Sequence, residues 1–187
     1  RRTSALRRYF GWLVRTGTLA SDPTAGLQAP RGTGRLPQVL TDADLSESML
    51  TDANLTGAIV TEAGFWSASG FVKEQLYSTA SYQQKNLHGI LLAGNDLTGW
   101  DLSGQDLTAA RLPVGILENV NFSGSNLTTA GFTSSRFSGA DLSGAVVWGA
   151  DFSNTTSLGF TQEQLSSTAS YQQKNLQGVL LKVNDLT

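Results

Sequence analysis

The chain has 187 residues, a net charge of −2, no cysteine and a single histidine, His88. This excludes disulfides, thiolate metal centres and multi-histidine metal sites, and removes most histidine-based catalysis. Apolar runs such as YFGWLV and AVVWGA are too short to span a bilayer, and no apolar stretch of signal-peptide length follows the basic start, so a cytoplasmic location is expected.

The net charge hides an asymmetry. Residues 1–40 hold seven arginines (Arg1, Arg2, Arg7, Arg8, Arg15, Arg31 and Arg35) against one acid, Asp22, a net +6. Residues 41–187 hold six basic groups against fourteen acids, a net −8. Two segments with different electrostatic partners are therefore expected, 1–40 and 41–187.

The first predicted element is a helix. Thr3 or Ser4 can cap it, Leu6, Phe10, Leu13 and Val14 recur at helical spacing, and Gly17 supplies the stop. Asp22-Pro23 opens a turn or a short second helix, and APRGTGRLP reads as a linker rich in glycine, proline and arginine. The arginines fit either a solvated helix face or contacts to nucleic-acid phosphates. The whole run, RRTSALRRYFGWLVRTGTLASDPTAGLQAPRGTGRLPQVLT, resembles the last part of the core-binding domain of tyrosine recombinases of the XerC/XerD type. The resemblance implies DNA contact by the seven arginines. It carries over no catalytic residue, because no domain with the family's arginines, His-x-x-Arg element and tyrosine follows, and His88 is followed by Gly89.

From Leu45 a metre of five takes over. Leu45, Leu50, Leu55, Val60 and Phe65 start it, it resumes from Leu87 to Phe152, and it returns at Leu176, Leu181 and Leu186. Two residues before these centres stand mostly small side chains such as Ala43, Ala53, Ala110 and Ser125, with Asp or Asn often between. Period five fits neither helix nor single strand, but it fits one face of a squared coil. These residues resemble the pentapeptide-repeat family, which implies a mainly β fold: a right-handed quadrilateral β-helix with four pentapeptides per turn. Twenty residues per coil predict inner columns Leu87–Leu107–Leu127–Val147 and Leu92–Leu112–Phe132–Phe152. Trp100 and Gln105 are oversized for the small slot, and Pro113 with Gly115 is expected to make a local bulge.

The metre is broken twice by one phrase. STASYQQKNL stands at 78–87 and again at 167–176, within a longer duplication offset by 89 residues. Both surroundings lack glycine and proline, and Thr161 with Gln164 has capping-box spacing, where Val72 replaces the cap in the first copy. Helical insertions of two or three turns are expected near 71–85 and 160–174. The alternative is a twice-displayed binding patch of Tyr82, Gln83, Gln84 and Lys85. Because Gln177 stands where the first copy has His88, His88 is expected to be an outward loop residue.

No catalytic constellation, cofactor site or metal site is assigned. Asp44, Asp96, Asp101, Asp106, Asp141 and Asp151 occupy the slot before a centre, where local hydrogen bonding explains them. The leading functional reading is a non-catalytic scaffold whose outer faces bind a protein partner. The alternatives are DNA contact through the arginines and a DNA-mimic role on a topoisomerase. An uncapped last coil implies a longer repeat protein or end-to-end self-association.

Overall fold

The computed structural model describes residues 39–186. The predicted N-terminal helix and linker lie outside the described residues. The rest winds as a solenoid in which nearly every residue preceding a centre forms a parallel bridge to the residue twenty further on. One such column runs Asp44, Gly64, Leu91, Arg111, Gly131, Asp151 and Leu180. The twenty-residue coil implied by the pentapeptide-repeat resemblance is therefore present, and both named inner columns stand as expected, through Asn86–Asp106–Asn126–Val146 and Leu91–Arg111–Gly131–Asp151. The solenoid begins one centre earlier than the metre suggested: Leu40 is buried, and its N–H donates to Ile59 O at 2.7 Å. Gln38-Val39 precedes Leu40 in place of a small residue and Asp or Asn, so the motif is hidden there.

The physical logic of a coil is repeated at each pentapeptide. The centre points inward, and all centres from Leu40 to Phe152 are buried. The small residue two before it closes the corner by donating its N–H to the previous centre's carbonyl, as Ala110 does to Leu107 O at 2.9 Å. Centre N–H groups donate to the coil above (Leu107 N to Asn126 O, 2.8 Å), and bridge-residue N–H groups donate to the coil below (Gly131 N to Ala110 O, 2.9 Å). Nearly every backbone polar group thus finds a partner one rung away. Phenylalanines fill the later interior: Phe132 stacks on Phe152 at 5.1 Å, and Phe137 meets Phe132 edge-on at 5.3 Å. Each such side chain contributes about 1.5–3 kcal/mol by burial.

The bulge expected at Pro113 and Gly115 is absent. Asp96 pairs with Ile116 and Ile116 with Arg136, so the register of twenty is unbroken. Pro113 sits just after the centre Leu112, at a corner whose N–H is not used by the ladder, while its carbonyl accepts from Gly94 N at 3.1 Å. Trp100 and Gln105 are buried without distortion. They lie beside the first insertion, where Trp100 meets Phe71 and Tyr77 edge-on at 5.5 and 6.3 Å, and Gln105 Nε2 donates to Tyr82 O at 3.2 Å. The insertion supplies the surface against which both side chains pack, and Gln105 Oε1 is left buried without a hydrogen-bond partner among the described residues.

Each insertion is a pair of single-turn helices rather than one longer helix. The first holds α1 (Lys73–Tyr77) and α2 (Ala80–Gln83), and the second α3 (Gln162–Ser166) and α4 (Ala169–Gln172). Thr79 and Thr168 break them. Thr79 Oγ1 donates to Leu76 O at 2.6 Å and accepts from Tyr82 N at 3.1 Å, ending one turn and capping the next. The bridge step lengthens to 27 residues at Gly64–Leu91 and to 29 at Asp151–Leu180. A 3-10 turn at Thr156–Leu158 takes up the difference, closed by Gly159 at φ +95, where an added Cβ would lie 2.8 Å from Ser138 N.

Candidate interaction surface

The acids named from the sequence share one geometry. Asp44, Asp96, Asp101, Asp106, Asp141 and Asp151 each accept through Oδ1 from the N–H two residues on, at 2.8 to 3.0 Å. Asn54, Asn121 and Asn126 do the same, so the bond requires an oxygen, not a charge. It stabilises the ionised form: hydroxyl and N–H bonds from Thr98 and Ser103 hold Asp96 and Asp101 below the usual carboxylate range. Burial pushes Asp151 up, but bonds from Ser153 and Thr133 outweigh it and leave it lowered. These carboxylates are part of the fold's corners.

The repeated phrase is accounted for in the same terms. Where a helix removes the rung's own N–H and C=O groups, side chains replace them. Gln75 Nε2 donates to Leu50 O and Ala53 O at 2.6 and 2.9 Å, and Gln164 Nε2 donates to Phe137 O and Ala140 O at 2.9 and 2.8 Å. Ser81 Oγ accepts from Val60 N, and Ser170 Oγ from Val147 N, both at 2.9 Å. Asn95 and Asn184 return the chain to the ladder by donating to Phe65 O and Phe152 O at 2.7 Å. Of the suggested patch, Tyr82 Oη donates to Asp101 O, Gln83 Nε2 to Tyr77 O and Lys85 Nζ to Ser103 O. The phrase is an adaptor between coils.

A surface that the sequence reading did not single out lies on the first coils. A groove of about 800 Å³ is lined by Asp42, Asp44, Glu47, Glu62, Trp66, His88 and Arg111. Gly64 and Leu91 also line it, and its Trp66 is 44% exposed. His88 points outward as expected, with Nε2 3.9 Å from Glu62 Oε1. Asp42, Glu47 and Glu62 stand at left-handed corners, φ 55 to 60, where several later coils carry glycine. The available signal was FWSAS, which puts an indole directly after a centre, where the other repeats carry mostly Thr or Ser. The seven arginines named for DNA contact all lie outside the described residues. Among the described residues, no three His, Asp or Glu side chains group as a metal site, and no helix is long and apolar enough to cross a membrane.

Stacked five-residue faces of this kind define a repeat solenoid. More particularly, the chain carries pentapeptide repeats: the family described as "Pentapeptide repeats" matches eight copies, over residues 39–68, 116–144 and 135–156. A 44-residue stretch, 24% of the chain, is 52% identical to tyrosine recombinase XerC of Xanthomonas campestris, and a 40-residue stretch, 21% of the chain, is 52% identical to that of Mycobacterium bovis. The chain spans 13% of the length of these recombinases. Among solved structures, HetL, a pentapeptide repeat protein of Nostoc involved in heterocyst differentiation regulation, aligns with 81% of this chain and 68% of its own at 22% identity and TM-score 0.38. Full-length QnrB1, a plasmid-mediated fluoroquinolone resistance protein, aligns with 80% of this chain and 66% of its own at 20% identity and TM-score 0.34.

Proposed function

We propose that residues 41–187 form a non-catalytic interaction module, a domain distinct from the basic segment 1–40, and that its groove binds a protein partner. The observation that carries this reading is the exposed Trp66 beside Asp42, Glu47 and Glu62. An aromatic wall with carboxylates around it suits a basic side chain, held by charge and by the indole face. A photo-crosslinking amino acid at Ser46, which lines the groove, with one at Ser138 as the control position, tests it in extract of the source cells. A single adduct at position 46, lost on Trp66→Ala and absent at position 138, supports the module. Equal labelling at both positions removes it. A cytoplasmic location belongs to the same reading.

A second reading rests on the recombinase similarity. The N-terminal arginines then contact phosphate, without sequence preference and with strong salt sensitivity. Anisotropy of a labelled duplex, comparing the chain with a variant in which all seven arginines are glutamine, decides it: equal binding by both, or none by either, removes the DNA contact.

A further inference from the structure

The groove is polarised along the solenoid axis. Its face is one bridged column, Asp44, Gly64, Leu91 and Arg111, each standing one rung above the last. Carboxylates crowd the first two rungs from both flanks. Asp42 and Glu62 follow one corner, where Thr41 Oγ1 and Thr61 Oγ1 lie 3.2 Å apart and Glu62 N donates to His88 O at 2.8 Å. Glu47 stands at the other corner, its N–H donating to Trp66 O at 2.7 Å. The middle is apolar: Gly64 carries no side chain, Leu91 is half-buried and Trp66 flanks them. Arg111 ends the groove three rungs above Asp44, about 14 Å away. It is exposed and, among the described residues, has no ion pair or side-chain hydrogen bond, whereas Arg136 pairs with Glu118 at 2.8 Å. Gly131 lies directly above Arg111, and an added Cβ there would meet nothing within 4 Å, so no side chain of that rung's column position screens the charge. Asp44 is beyond the screening length of about 8 Å at physiological salt.

We infer that the occupant is an extended segment of a partner protein with a basic residue, an apolar residue two positions on and an acidic residue two positions further. This rests on the groove reading above, and adds the partner's residue pattern and Arg111 as the residue that selects it. An extended chain rises about 3.3 Å per residue and turns every second side chain to one face. The first, third and fifth side chains of such a segment therefore span about 13 Å of groove. The first meets the carboxylates and the indole face of Trp66, the third lies over Gly64 and Leu91, and the fifth pairs with Arg111. An acid at the fourth position points away from the groove. A helical segment spaces positions one and five by only about 6 Å and falls short of Arg111. Charge attraction alone favours a different ligand: four carboxylates outweigh one guanidinium, so a segment with basic residues at both ends wins unless Arg111 is a seat.

Fluorescence anisotropy of dye-labelled peptides against the full chain tests this. The probes are Lys-Ala-Leu-Ala-Glu, Lys-Ala-Leu-Ala-Lys and Lys-Ala-Leu-Glu-Ala, each flanked by glycines. The first is expected to bind about fivefold tighter than either of the others. Arg111→Glu changes an exposed side chain that makes no described bond, and is expected to reverse the preference between the first two. Trp66→Ala is expected to weaken the first two alike, because it removes part of the basic seat they share. Tighter binding of the doubly basic peptide by the unaltered chain, or a preference untouched by Arg111→Glu, overturns the pattern; if Trp66→Ala still weakens binding, the groove reading stands. Binding untouched by Trp66→Ala removes the groove reading and the pattern together. No binding of any probe up to about 1 mM overturns the pattern, and the crosslink at Ser46 then judges the groove separately.

Discussion

The two copies of STASYQQKNL do the same work below and different work above. Downward, Gln75 and Gln164, Ser81 and Ser170, and the caps Thr79 and Thr168 make matching bonds to the coil beneath. Upward, the first copy is covered: Leu87 is buried under the next coil, and Tyr82 and Lys85 hold its carbonyls. The second copy has no described coil above it, Leu176 is half-buried and Tyr171 exposed. Identical sequence therefore sets only half of the bonding. The other half depends on what lies on the next rung, which is how a quasi-one-dimensional protein distributes its stability.

The sharpest way to break this comparison is at the centres. Leu87→Ala removes a fully buried side chain within the stack and is expected to cost about 2–5 kcal/mol. Leu176→Ala, at a centre only half-buried by the described residues, is expected to cost less, under about 1 kcal/mol. Urea midpoints of the two variants measure it, and equal losses would mean that Leu176 is covered. The amide bridges come next. Gln75→Leu and Gln164→Leu each leave the carbonyl of Ala53 or Ala140 without its side-chain donor, at about 1–3 kcal/mol. The two losses should match within about 0.5 kcal/mol, because both bridges point to a completed coil. A large inequality would show that the copies are not equivalent even on their lower side.

How much of this was legible in the sequence follows from range. The metre of five reports a local constraint, one inward side chain per corner, so the centres and the Asp slots are readable directly, while the twenty-residue coil and its inner columns follow only once the resemblance supplies four corners per turn. The break within each insertion was not, because the Thr79 and Thr168 bonds mimic an ordinary helical stretch in composition. Trp100 and Gln105 were read as misfits, since their space is made by Phe71, Tyr77 and Tyr82, which are distant in the metre but adjacent across the rung. The groove was missed for the same reason: Glu47, Glu62, Trp66 and Arg111 come together only when the coils stack. The seven arginines have no such geometry among the described residues, and their role stays with the DNA experiment.

The tyrosines sharpen the comparison through pH. Tyr82 is pushed up to about 12, first by burial and then by the neighbouring Tyr77 and Asp101. Its rings pack with Tyr77 at 4.4 Å, so ionisation would place charge inside a stacked pair. A group whose folded pKa is raised favours the protonated fold. Its contribution is complete below about pH 10, the unfolded phenol value, and is lost as pH rises from there towards 12. Ultraviolet titration should show a phenolate component near 12 that disappears in Tyr82→Phe, a change expected to cost about 0.5–1.5 kcal/mol through the lost bond to Asp101 O. If the component survives in Tyr82→Phe, the assignment of that ionisation to Tyr82 is wrong.

The smallest effect is expected at the corner acids, where it separates charge from geometry. Asp141 Oδ1 accepts from Ser143 N, and Asn121 Oδ1 accepts from Ser123 N one rung below, at 2.8 and 2.9 Å. An amide oxygen serves as well as a carboxylate, so Asp141→Asn should shift stability by less than about 0.5 kcal/mol at neutral pH. Asp141→Ala removes the acceptor and should cost more. Asp96, Asp101 and Asp151 carry lowered pKa values in the fold, so their contribution is present above the unfolded carboxylate value and is lost as pH falls through the folded one. Replacing all three by asparagine should flatten the acid limb of the urea midpoint against pH and leave its neutral value nearly unchanged. An unchanged acid limb would show that the corner bonds of these three carboxylates do not set the acid sensitivity.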